Sequence, residues 1–250
     1  MDLTILIPCA LAVGLTMGLL GSGGSILTVP ILVYLMGLDE KVAIASSLAI
    51  VGGVAALTTV LNIRDRSINW RTAIWFGVPG VFGTYLGAAL SQFASGQVQL
   101  VVFAVVMLLS AFFMFWPPKF KPVSGDQKRL AIVSEGLLIG ALTGFVGVGG
   151  GFMIVPALVL LGGLSMTTAA ATSLVIIAVK SAAGLVKYLE LMAGSGLGLD
   201  WNLILIFIGF GMLGSFLGRV LGRVIEQRRA EQVFSIFLVA IAGWILVQSL

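Results

Sequence analysis

Gly18-Leu-Leu-Gly21-Ser22-Gly23-Gly24-Ser25-Ile-Leu-Thr-Val-Pro30 returns later in the chain as Gly144-Phe-Val-Gly147-Val148-Gly149-Gly150-Gly151-Phe-Met-Ile-Val-Pro156. The two copies stand 126 residues apart, and the register continues without a gap. Gly37-Leu38 falls on Gly163-Leu164, Ala43 on Ala169, and Ala45-Ser46-Ser47-Leu48 on Ala171-Thr172-Ser173-Leu174. Self-similarity over half a chain marks a duplicated architecture. After a shift to an offset of 131, Gly80, Gly83, Leu86 and Gly87 match Gly211, Gly214, Leu217 and Gly218.

The solvent of this architecture follows from composition. Of the 250 residues 59% are hydrophobic and 10% charged, whereas soluble domains carry about 25% charged residues. A water-facing surface is excluded, and the chain reads as an all-α polytopic membrane protein. A net charge of +4 does not point to nucleic acid, because the basic residues sit in short connections rather than in one patch. Cys9 is the single cysteine and there is no histidine. No intrachain disulfide can form, and no transition-metal site or other cofactor is expected.

Five apolar segments divide each half: 3–20, 26–36, 42–61, 71–90 and 98–116, then 130–146, 152–161, 166–188, 201–224 and 232–250. The second of each set holds only about a dozen residues, roughly 18 Å of helix against a hydrocarbon core of about 30 Å. It is expected to be a broken or re-entrant limb following a glycine turn. The halves are bounded as 1–116 and 130–250. The stretch 117–129, with Pro117, Pro118, Lys119, Lys121, Lys128 and Arg129, forms the linker.

Three connections hold 11 of the 14 Lys and Arg: Arg64, Arg66 and Arg71, then the linker, then Arg219, Arg223, Arg228 and Arg229. Basic residues near span ends mark the cytoplasmic side, so all three connections lie inside and both termini outside. An odd number of segments precedes the linker, so the second half is inverted relative to the first. Inverted repeats with discontinuous helices are the build of secondary transporters, whose site lies near the bilayer midplane.

A turn within the bilayer exposes backbone polar groups that only protein or a wet cavity can satisfy. Pro30 and Pro156 favour a helix starting at the proline, and a helix start offers N–H groups to an anion. The candidate substrate contacts are therefore Ser22, Gly23, Gly24 and Ser25 from one turn and Gly149, Gly150 and Gly151 from the other. Ser46, Ser47, Thr172 and Ser173 follow as hydroxyls, each with the alternative of bonding its own helix backbone. Lys180 completes the set: it lies 14 residues past Met166, and an ionisable residue that deep is a functional hypothesis by default. Its alternatives are snorkelling or a pair with Glu135. Gly14/Gly18, Gly83/Gly87, Gly140/Gly144 and Gly214/Gly218/Gly222 have the four-residue spacing of close helix packing. The Gly-Val-Gly-Gly-Gly run lacks the Lys-Ser/Thr ending and βαβ setting of a nucleotide loop.

The doubled Gly-x-Gly-Gly-(Ser/Gly)-(Ile/Phe)-x-x-x-Pro motif, each copy followed by Ala-x-x-(Ser/Thr)-Ser-Leu, resembles the TauE/SafE family of sulfite and organosulfonate exporters across essentially the whole chain. The resemblance implies a secondary transporter of a small sulfur-containing anion such as sulfite or an organosulfonate. Export coupled to protons, from the inner membrane of a bacterial-type cell, is implied with it. The turns differ, Ser22 and Ser25 becoming Val148 and Gly151, so two equivalent sites are not expected. A passive anion channel is the alternative. No nucleophile and base pair, metal cluster or cofactor motif suggests an enzyme. The partners expected are the small anion, a coupling proton, the lipid bilayer and a second copy of the chain in a homo-oligomer.

Overall fold

The computed structural model describes residues 3–20, 23–63, 67–116, 126–160, 162–193, 198–222, 224–225 and 227–249. Among the described residues, ten helical segments of ten or more residues follow in order: α1 (Leu3–Leu19), α2 (Gly23–Leu35), α3 (Glu40–Ile63), α4 (Trp70–Leu90), α5 (Gly96–Phe115), α6 (Asp126–Val146), α7 (Gly151–Leu160), α8 (Met166–Met192), α9 (Trp201–Leu221) and α10 (Gln227–Ser249). Six of them, α3, α4, α5, α8, α9 and α10, are long and apolar enough to cross a membrane. The chain is an all-α polytopic membrane protein. Ser22, Arg64, Arg66 and most of the linker, 117–125, fall outside the described residues.

Caps fix where several helices begin. Asn69 accepts from the Thr72 N–H and Asp200 from the Leu203 N–H, both at 3.0 Å, opening α4 and α9 at matching places in the repeat. Ser95 and Ser165 open α5 and α8 in the same way. Each cap satisfies an N–H that the helix itself leaves free. Gly37 and Gly163, with φ of 67° and 64°, mark corresponding places in the two halves just after α2 and α7. A left-handed residue there is a common way to end a helix, and it favours glycine.

The halves are interlocked. The first helix of each packs along the fourth helix of the other, α1 on α9 and α6 on α4, while α3 meets α8 and α5 meets α10. Exchanging the halves maps this pattern onto itself. The four-residue glycine rows form both seams. A Cβ on Gly14 would overlap the Gly211 carbonyl, one on Gly18 that of Ser215, one on Gly218 that of Leu15. In the other seam Gly87 would meet the carbonyl of Ala141, Gly140 that of Gly80 and Gly144 that of Thr84. With no solvent-driven attraction between apolar helices in lipid, close backbone approach at small residues supplies the packing.

The central pair crosses antiparallel. An ideal Cβ on Gly52 lies 3.0 Å from the Ser181 side chain, and one on Gly184 lies 3.1 Å from Leu48. Residue numbers thus fall on α8 as they rise on α3. Ser181 is the repeat mate of Ala55, so the crossing is centred between Gly52 and Ala55, beside Val54 and its mate Lys180. Large apolar side chains such as Val78, Phe82 and Leu86 of α4 or Val105, Leu109 and Phe112 of α5 point outward. Lipid is an adequate solvent for them.

Candidate functional site

The second glycine turn is built by φ. Gly147 and Gly150 are left-handed, at 76° and 71°, a region that β-carbons disfavour. Between them the chain leaves α6 and turns back. A Cβ on Gly147 would overlap Ile44, in the first turns of α3, while one on Gly149 would lie 2.5 Å from Val51 and 2.8 Å from Ile177, near the middle of α3 and α8. The segment therefore leads from the rim of the bundle inward, and α7 begins there at Gly151. The Gly150 carbonyl receives the N–H groups of Met153 and Ile154, at 3.1 and 3.0 Å. The N–H groups ahead of them are those a helix start leaves without intrahelical partners.

This corrects the place given to the prolines. α7 starts five residues before Pro156, which lies inside the helix. In the first half helical structure begins at Gly23 as a 3₁₀ turn, passes through Pro30 and continues as a π turn over Ile31–Leu35. The glycine run, not the proline, sets both helix starts. The two starts are unlike. Gly24 is held against Thr16 and Met17 of α1 and does not share the positive φ of its mate Gly150. The beginning of α2 touches α7, so the two short limbs meet within the bundle.

The candidate hydroxyls separate into different roles. Ser25, Ser46, Ser47, Thr172 and Ser173 are all buried. Thr172 Oγ1 accepts the backbone N–H of Asn69 at 3.0 Å, tying α8 to the cap of α4. Ser173 donates to the Ala170 carbonyl at 2.8 Å, the backbone bond weighed as its alternative. Ser47 Oγ is fully buried and has no hydrogen-bond partner among the described residues. Three residues after Ile44 and four before Val51, Ser47 lies on the flank of the α3 face that receives Gly147 and Gly149.

Lys180 is 1% exposed and its Nζ has no partner among the described residues. Snorkelling is thus absent, and so is a pair with Glu135, which is half-buried on α6. Its aliphatic stem lies on α4: an ideal Cβ on Gly80 is 3.0 Å from Lys180 Cδ and 3.5 Å from Cε, with the Gly136 carbonyl beside it. Ile176 and Gly184, one turn either side, also face α4, at Gly77 and Thr84. Ile177 and Ser181 instead face Gly149. The structure therefore brings Ser181 to the second turn and sets Lys180 on the neighbouring seam, one helical step away.

Three polar groups escaped the sequence reading. Ser181 is 1% exposed, and its hydroxyl has no partner among the described residues; in the sequence it reads as one serine inside a span, next to Lys180. Gln99 and Tyr188 form the other group. The Gln99 amide donates to the Phe145 carbonyl and, at 2.8 Å, to Tyr188 Oη, while Tyr188 donates to the same carbonyl at 3.1 Å. Phe145 stands two residues before Gly147, so α5 and α8 together hold the entry to the turn. Gln99 lies at the start of a span, where a glutamine reads as an interfacial residue.

Residues 6–245 match the family model described as sulfite exporter TauE/SafE. A probable membrane transporter protein of Xylella fastidiosa (strain 9a5c) is 30% identical over 245 residues, covering 95% of this chain and 92% of the relative. The probable membrane transporter protein YunE of Bacillus subtilis is 23% identical over 100% of this chain and 99% of its own. No solved structure matches the chain.

Proposed function

The chain belongs to the TauE/SafE sulfite exporter family, a family of membrane transporters, and from that premise we propose that it is a secondary transporter exporting a small sulfur-containing oxyanion, such as sulfite or an organosulfonate, with proton coupling. Two inverted halves, 1–116 and 130–250 about the linker 117–129, alternate access around a midplane site, in an inner membrane with both termini outside. The antiparallel crossing of α3 and α8 and the reciprocal seams support the inverted arrangement.

One observation carries the anionic substrate: a buried lysine amine, Lys180, without a partner among the described residues at the centre of the bundle. Burying an unpaired charge is costly. A negative guest that visits the bundle would offset the cost, and the start of α7, with Ser181 close to Gly149 just before it, offers further donors one helical step away. The first turn, through Gly23, Gly24 and Ser25, and the hydroxyls Ser46, Thr172 and Ser173 form the surrounding shell of the same site.

Purified protein in liposomes loaded with a pH dye tests the reading. A gradient of sulfite, methanesulfonate or taurine should drive a saturable anion flux with a proportional pH change. An electrogenic leak of anion with no proton movement would make the protein a channel. Absence of flux for every sulfur oxyanion would remove the substrate class.

A further inference from the structure

We infer that Ser181 is a direct substrate contact: its hydroxyl, with Ser47 and the first N–H groups of α7, forms the seat for the oxyanion head, and Lys180 acts from the adjoining face. This rests on the transporter reading and assigns a residue that neither the repeated motif nor the family resemblance marks.

Two independent observations meet at this place. The first is the start of α7, a ten-residue helix that begins in mid-bundle after the left-handed Gly150. The second is a pair of hydroxyls from the two central helices. Ser181 Oγ would be 3.4 Å from a Cβ on Gly149, and it is buried without any hydrogen-bond partner. Ser47 Oγ is likewise buried and unpartnered. A buried hydroxyl without a partner is expensive, and most find one in their own helix. Ser181, left open beside the turn that leads into α7, and Ser47, on the flank of the α3 face that receives that turn, are donors available to a substrate oxygen.

The chemistry selects the guest. The seat supplies neutral donors from separate directions, two O–H groups and a helix start. A sulfonate or sulfite head presents three oxygens that can each take one. A spherical halide gains little from such a spread of donors. The close fit of Gly149 against Val51 and Ile177 leaves no room for a side chain there. The guest must therefore enter as the start of α7 draws back from the crossing, which ties occupancy to movement of the hairpin.

The repeat makes the seat one-sided. The mate of Ser181 is Ala55, and the mate of Gly150 has no positive φ.

Two variants test it in liposomes. Ser181→Ala, a substitution helices accept, should raise the KM for methanesulfonate about tenfold, the worth of one hydrogen bond to a charged group, with little change in maximal rate. Weak inhibition of that flux by chloride should not move. Ser181→Cys in a Cys9→Ala background should react faster with a sulfonate-bearing methanethiosulfonate than with a trimethylammonium one, and methanesulfonate should slow the reaction. An unchanged KM in Ser181→Ala, or a thiol that is unreactive, prefers the cation or is unprotected, overturns the assignment. Wild-type flux of methanesulfonate in the same liposomes keeps the outcomes apart. If it persists while these tests fail, the contact is wrong and the transporter reading stands; if it is absent, the substrate reading itself has failed.

Discussion

The two seams of this molecule share a backbone and differ in chemistry. Along α4, Gly80 receives the stem of Lys180; at the matching place on α9, Gly211 receives Val54, its ideal Cβ 2.8 Å from the valine Cγ2. One turn on, Gly184 packs against the Thr84 methyl, whereas in the other seam Thr58 and Ser215 share a hydrogen bond of 3.1 Å. The duplicated glycine rows set how close the helices come. The side chains laid into that frame then diverged, and a buried lysine stands in one seam where the other holds Val54. Architecture and chemistry are thus carried by different residues, and substitutions should separate them.

The largest effects should come from the frame, and they should be equal in both halves. Gly14→Leu and Gly218→Leu in one seam, Gly87→Leu and Gly144→Leu in the other, each place a side chain where a backbone carbonyl already lies. Ordinary overpacking costs about 1–3 kcal/mol, and here the obstacle is main chain, which has no rotamer to change. Loss of the monodisperse peak in size-exclusion chromatography of detergent extracts is expected for all four. Tolerance confined to one seam would break the equivalence of the halves.

The next effect should separate them. Lys180→Val makes the lysine seam resemble its mate, so the protein should fold, melt at a higher temperature and lose transport at least tenfold, about 1.4 kcal/mol or more. The rise in melting temperature follows from removing a buried amine that has no partner among the described residues. The reverse change, Val54→Lys, adds a second buried charge and should destabilise by roughly 2.5–3.5 kcal/mol, the cost of lysine at the centre of a membrane helix. Transport that survives in Lys180→Val would show that the cation serves neither seam's function.

Why the frame was so legible and the chemistry less so follows from what each depends on. Segment boundaries rest on local runs and caps. Ser165 and Asp200, for example, begin α8 and α9 within a residue of the expected starts. The glycine rows rest on spacing, and spacing is written in the chain. The site depends on rotation about helix axes. Lys180 and Ser181 are neighbours in sequence, yet about 100° of helical turn separates them, so one faces α4 and the other the α7 start. Ser173 shares the Lys180 face by periodicity, but it bonds its own helix. Thr172 is expected at the site because its motif is repeated; its hydroxyl also accepts the Asn69 N–H at the start of α4, a contact that spacing alone does not show. The prolines misled for a related reason: a ring fixes its own φ, whereas the place where α7 begins was fixed by the left-handed Gly150.

The smallest difference to be tested concerns how each hairpin is held from behind. Gln99 of α5 binds the Phe145 carbonyl before the second turn, while Phe234 of α10 lies 3.6 Å from an ideal Cβ on Gly23 in the first. One hairpin is fastened by polar bonds and the other by a ring edge. Gln99→Leu removes both donated bonds but leaves Tyr188 on the carbonyl, so the loss should be about 1–2 kcal/mol. Phe234→Leu keeps an apolar contact and should cost less than about 1.5 kcal/mol. The useful readout is local. Hydrogen exchange over residues 145–151 should quicken in Gln99→Leu, and further in the double variant with Tyr188→Phe, while Phe234→Leu leaves it unchanged. If that segment exchanges at the wild-type rate in the double variant, the polar fastening has no hold on the turn, and the packing of Gly149 against Val51 and Ile177 is sufficient by itself to keep α7 in place.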